Sequence, residues 1–322
     1  MRRREFISLL GSTAVAWPVA ARAQQPAMPV IGYLATEGAG LAEPFRQGLR
    51  ETGYVEGRNV AIETRQAEHQ YDRLPAMAAD LVRRQVAVIV AVGAEPVQLA
   101  AKAATTTIPI VFSTGSDPVK IGLVESLSRP GGNATGVTNL NAELMAKRLE
   151  LLHEVAPAVR TIAALINPTN SNNITRSNDL AAAARTVGVQ LHVLHASAER
   201  HFDEAFAALR ERDVGALLIV GDGLFVSRSE LLGALTLRHA VPAIFQTRQF
   251  SAAGGLMSYG TNATTARMVG IYTGRILKGE RPADLPVQQV TNVELIINLK
   301  TAASLGLSVP LTLRGRADEV IE

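Results

Sequence analysis

Short apolar runs rich in β-branched residues alternate along this chain with stretches whose apolar positions recur every three to four residues. The runs are too brief for helices and read as buried strands of a parallel sheet. In the first half they predict strands over 30–34, 60–63, 86–92 and 108–112, with helices over 44–52, 74–84 and 96–104 between them. The second half predicts strands over 161–166, 190–194, 215–220 and 241–245, with helices over 143–155, 179–187, 202–211 and 229–238. Strand, helix, strand at this spacing gives βαβ units with right-handed crossovers. The halves also match residue by residue. Residues 84–93 align without gaps on 212–221, an offset of 128, and Ile108-Pro-Ile-Val-Phe112 matches Val241-Pro-Ala-Ile-Phe245 at 133. A period this long means two similar lobes rather than a solenoid.

The expected fold class is therefore α/β, with two similar doubly wound parallel-sheet lobes joined by three crossing strands. The N-terminal lobe is expected to hold 28–138 and 250–285, and the C-terminal lobe 139–249 and 286–322. In this division the strand over 256–260 returns to the first lobe and 286–290 crosses to the second. Three crossings make a hinge that bends without separating.

Ligands of open α/β sheets bind beyond the carboxyl ends of the strands. The loops there give the candidate binding residues: Thr36, then Gly93, Ala94 and Glu95, then Ser113, Ser116 and Asp117 in one lobe, and Asn167, Asn170, Asp222 and Gln246 in the other. Asp117 followed by Pro118 reads as the N-cap of a helix whose N–H groups favour an anion. Asp222, set between two glycines, suits an ammonium group, while Tyr259 or Phe225 could cover an apolar side chain. On this basis Asp222→Asn is expected to weaken ligand binding and leave the ligand-free protein unharmed.

Composition narrows the chemistry. The chain has no cysteine, which excludes disulfides, thiolate metal sites and cysteine nucleophiles. His192 and His195, three apart on a strand, point to opposite faces and chelate poorly. There is no nucleophile elbow, no H-E-x-x-H and no phosphate-loop lysine. No cofactor, metal or catalytic residue is expected. The formal charge of +3 comes wholly from the first 23 residues, where Arg2, Arg3, Arg4 and Arg22 face Glu5. The neutral remainder offers nothing to attract nucleic acid. Those 23 residues read as a twin-arginine signal peptide: Arg3-Arg4-Glu5-Phe6-Ile7, an apolar run, and Ala21-Arg22-Ala23 as the cleavage site. A periplasmic protein is expected.

Phe45-Arg-Gln-Gly-Leu-Arg-Glu-Thr-Gly-Tyr-Val-Glu-Gly-Arg-Asn59, Ser116-Asp-Pro-Val119, Arg129-Pro-Gly-Gly-Asn133-Ala-Thr-Gly-Val137, Gly254-Gly-Leu-Met-Ser-Tyr-Gly260 and Leu295-Ile-Ile-Asn-Leu299 carry a resemblance over nearly the whole chain. It resembles the ABC-transporter substrate-binding proteins of the group with tryptophan- and tyrosine-binding members. The resemblance implies the type I periplasmic-binding fold, a small amino-acid-like ligand in the interlobe cleft, and permease and ATPase partners. A monomer that meets the membrane only through its permease is expected. A periplasmic α/β enzyme and a subunit presenting ligand to a sensor stay open as alternatives.

Overall fold

The computed structural model describes residues 28–36, 43–170, 172–261 and 265–322. The proposed signal peptide lies outside them. The apolar runs form the expected strands: β1 (Val30–Ala35), β2 (Ala61–Gln66), β3 (Val88–Val92), β4 (Ile110–Thr114) and β5 (Ala134–Thr138), then β6 (Thr161–Ile166), β7 (Gln190–His195), β8 (Ala216–Ile219), β9 (Ala243–Phe245) and β10 (Met257–Thr261). After these come β11 (Gln288–Gln289), β12 (Val293–Asn298) and β13 (Glu319–Ile321).

They build two sheets with one repeated topology. The first runs β11-β5-β4-β3-β1-β2 and the second β13-β12-β10-β9-β8-β6-β7. Reading each from its far edge gives the same order, 2-1-3-4-5, with all five strands parallel. Both faces of each sheet are covered. Leu74, Leu81, Val97 and Ala101 of two helices bury one face of the first sheet, and Phe45, Leu49, Val269 and Ile276 bury the other. Leu149, Leu152, Leu180 and Ala184 cover one face of the second sheet, Phe202, Phe206, Leu232 and Leu235 its opposite. Burial on both faces explains why the central strands are apolar throughout instead of alternating.

Two expectations fail here. Met257–Thr261 was expected in the first lobe. It pairs instead with β9 in parallel and β12 in antiparallel, as the fifth strand of the second sheet. Likewise Gln288–Gln289 does not cross to the second lobe but pairs with β5 of the first sheet. The return to the first lobe is made by the helix Thr265–Leu277 instead. Gly48 and Gly270 let that helix lie backbone to backbone on the helix Glu43–Glu51, since a side chain at either would strike the other's carbonyl line at Arg267 or Phe45. The chain still crosses between lobes three times, after β5, after β10 and after β11.

A buried arginine ties two of these crossings. Arg148, wholly buried in the helix Met145–Val155, donates to the Asn141 carbonyl, to Asn141 Oδ1 and to the Tyr259 carbonyl at 2.7–3.0 Å. Asn141 belongs to the first crossing and also bonds Thr261 of the second. Burial pushes the Arg148 guanidinium down to about 9, still protonated at neutral pH. Among the described residues its charge is met by neutral oxygens, those of Asn141 in the first crossing and of Tyr259 just before the second.

Candidate functional site: the interlobe cleft

The carboxyl ends of both sheets face each other, and the loops beyond β3 and β4 meet those beyond β6, β8 and β9. Between them lies a cavity of about 270 Å3. Gly93, Ala94, Glu95, Ser113 and Ser116 line it from the first lobe, and Asn170, Asp222 and Gln246 from the second. Eight of the residues expected from sequence thus converge. In the first lobe the cavity lies beyond the carboxyl ends of β3 and β4.

The other four sit elsewhere. Thr36 is buried behind the wall, its hydroxyl accepting from the Ala94 N–H at 2.8 Å. Asn167, fully buried, donates to Asp222 at 3.0 Å and so supports the wall rather than forming it. Asp117 lines a neighbouring chamber of about 570 Å3. It accepts from the N–H groups of Val119 and Lys120, but no helix follows. The turn ends at Gly122, whose φ of 75° is incompatible with helix continuation. The expected anion-binding helix N-terminus is absent there. Tyr259 packs into the apolar core of the second lobe. Its strand neighbours Ser258 and Gly260 face a chamber of about 340 Å3 on the other side, as the two-residue period of a strand requires. Phe225 is also fully buried, against Phe202, and cannot cover a ligand.

Asp222 is not the open carboxylate that the flanking glycines suggested. It is 4% exposed and accepts from four donors. Tyr71 of the first lobe donates to both oxygens at 3.1 Å, Asn167 and Asn170 at 3.0 and 2.9 Å, and the Leu224 N–H at 3.1 Å. Asp222 is thereby the N-cap of the short helix Gly223–Ser227 and a tie between lobes. Burial, then the Asp222 charge, pushes the Tyr71 hydroxyl well above the usual tyrosine range, so it stays a donor.

Sequence reasoning missed Arg176. The helix expected from 179 begins at Asn172, and its buried face of Asn173, Leu180 and Ala184 brings Arg176 over the cleft. That three-to-four spacing, traced back toward the N-terminus, was the available signal. Arg176 donates across the lobes to Glu95 Oε2 at 2.9 Å and to the Ser116 hydroxyl at 2.8 Å. Its other amino group holds the Gly221 carbonyl and Asn173 Oδ1. Ser116 in turn donates to Glu95 Oε2 at 2.6 Å. Asn139, Asn141 and Met145, from the first crossing and the helix after it, also line the cavity.

The chain matches the family described as ABC transporter substrate binding protein over residues 39–321. It belongs to that family. A tyrosine-binding protein from Clostridioides difficile is 26% identical over 264 residues, which is 82% of this chain and 75% of that protein. A domain from Streptococcus pneumonia in complex with L-Trp is 24% identical, with a TM-score of 0.76 covering 91% of this chain and 99% of its own. At the same coverage, a ligand-free, open substrate-binding protein from Clostridium difficile is 23% identical with a TM-score of 0.58. These neighbours have the type I periplasmic-binding fold, and the family consists of solute-binding proteins. Among the described residues no helix is long and apolar enough to cross a membrane.

Proposed function

We propose that the cleft binds an α-amino acid and that the protein hands it to the permease and ATPase components of an ABC importer. The observation that carries this reading is the cavity of about 270 Å3 between two lobes, walled by both signs of charge, in a chain of this family. The volume, just below the roughly 300–1,000 Å3 of drug-sized sites, suits one amino acid. The tyrosine- and tryptophan-binding relatives support the ligand class.

Thermal unfolding with each of the twenty L-amino acids and a set of sugars tests it. A true ligand at a hundred times its Kd stabilises the native state by about 2.7 kcal/mol, because only the folded protein binds it. Stabilisation by a sugar and by no amino acid would remove the reading.

Delivery to a permease implies export. Arg3-Arg4 and Ala21-Arg22-Ala23 support a twin-arginine route, with the mature chain beginning at Gln24 in the periplasm. Replacing both arginines with lysine is expected to leave the precursor in the cytoplasm on fractionation. A variant that still reaches the periplasm would rule out this route.

A further inference from the structure

We infer that Arg176 and Glu95 are a paired charge receptor: Arg176 takes the ligand's α-carboxylate and Glu95 its α-ammonium. This rests on the amino-acid reading above. In the cleft the two side chains serve as each other's counter-ions, and a ligand bound there takes the place of each.

Three observations lead here. First, the pair lines the cavity with one member from each lobe, and its side chains are only 13% and 5% exposed. A buried ion pair seldom stabilises a protein more than apolar residues of similar size would, so its presence in a cavity wall calls for another reason. Second, Glu95 keeps an open acceptor where the other cavity carboxylate has little room, and Arg176, whose amino groups hold four protein acceptors, turns to the ligand by giving up Glu95 and Ser116. Glu95 Oε2 accepts both Arg176 and Ser116, while its Oε1 accepts from none of the described residues. Asp222 already accepts from four protein donors and offers an ammonium group no comparable vacancy. Third, an α-amino acid carries both charges on one carbon, so its receptors must be neighbours of opposite sign. Arg176 and Glu95 lie 2.9 Å apart. Ser116, bonded to both, holds them in register.

The receptor also couples recognition to closure. Each charge of the ligand engages a different lobe, so neither lobe alone satisfies the zwitterion.

Calorimetry separates this from a purely structural ion pair. The probes are L-tyrosine, tyramine and 3-(4-hydroxyphenyl)propionate, with L-leucine, 3-methylbutylamine and 4-methylpentanoate in parallel. Arg176→Gln should weaken the amino acid about thirtyfold or more yet leave the amine, which has no carboxylate, nearly unchanged. Glu95→Gln should weaken the amino acid to a similar extent and leave the carboxylic acid nearly unchanged. The double variant removes both charges and strands neither. It should fold with a ligand-free midpoint near that of the wild type, and bind the amino acid no better than its one-charge analogues. Equal losses for all probes in each single variant would overturn the receptor and show that the pair only joins the lobes. A wild-type protein that binds neither amino acid would overturn the functional reading, and the receptor with it.

Discussion

Asp222 shows how far a residue's neighbours in sequence can mislead about its neighbours in space. Between Gly221 and Gly223 it has no side chain beside it in sequence, yet Tyr71 and Asn170 reach it from elsewhere in the chain. The consequence for Asp222→Asn is the reverse of the sequence-based expectation. Asn167 has its amide orientation fixed, because its Oδ1 accepts the Thr169 N–H and hydroxyl at 3.1 and 2.7 Å. Its Nδ2 must therefore keep facing residue 222. An asparagine there presents an NH2 group to a site filled with donors, and an unsatisfied buried donor costs about 1–3 kcal/mol. Urea unfolding of the ligand-free variant should show that loss. An unchanged midpoint would mean that the donors around Asp222 rearrange freely.

At the scale of elements, the strands were legible because buried parallel strands write themselves as apolar runs, and the repeat confirmed their order. Thr161–Ile166, Phe202–Glu211 and Ser229–Arg238 fall where the periodicity put them. The misplaced strand was legible too, had the repeat been followed one unit further. Gly131-Gly-Asn-Ala-Thr-Gly-Val-Thr138 aligns on Gly254-Gly-Leu-Met-Ser-Tyr-Gly-Thr261 at an offset of 123, close to the 128 and 133 of the earlier strands. Both segments are fifth strands of their sheets. What the pattern could not give was long-range polar pairing. Arg148 reads as one more charge on an amphipathic helix, and only the fold shows it buried between the Asn141 and Tyr259 carbonyls. Arg176 was lost for a related reason: polar residues at the start of its helix resemble a loop, and its partners Glu95 and Ser116 belong to the other lobe.

The whole molecule is in a closed arrangement, held by contacts that exist only when the lobes meet. Tyr71 with Asp222 is one and Arg176 with Glu95 and Ser116 another. A third is purely steric. Gly223 of the second lobe lies against Thr36 of the first so closely that a Cβ would sit 2.7 Å from Thr36 Cγ2. Thr36 cannot easily turn aside, since a β-branched side chain is stiff at χ1 and its hydroxyl is bonded to the Ala94 N–H. Gly223→Ala should therefore hold the lobes slightly apart while leaving each one folded. Every contact across the cleft would lengthen together, so ligand affinity should fall about tenfold, or roughly 1.4 kcal/mol. A hinge of three crossings is expected to close on ligand and shrink the radius of gyration, and in Gly223→Ala that shrinkage should diminish. Adding Thr36→Ser removes the obstructing methyl and keeps the hydroxyl on Ala94. Calorimetry and solution scattering on the pair of variants decide the matter. If Thr36→Ser restores affinity and compaction to Gly223→Ala, the steric limit on closure is real. If the double variant binds no better than Gly223→Ala alone, the loss comes from the short helix that begins at Gly223, and the closed geometry is not set by this contact.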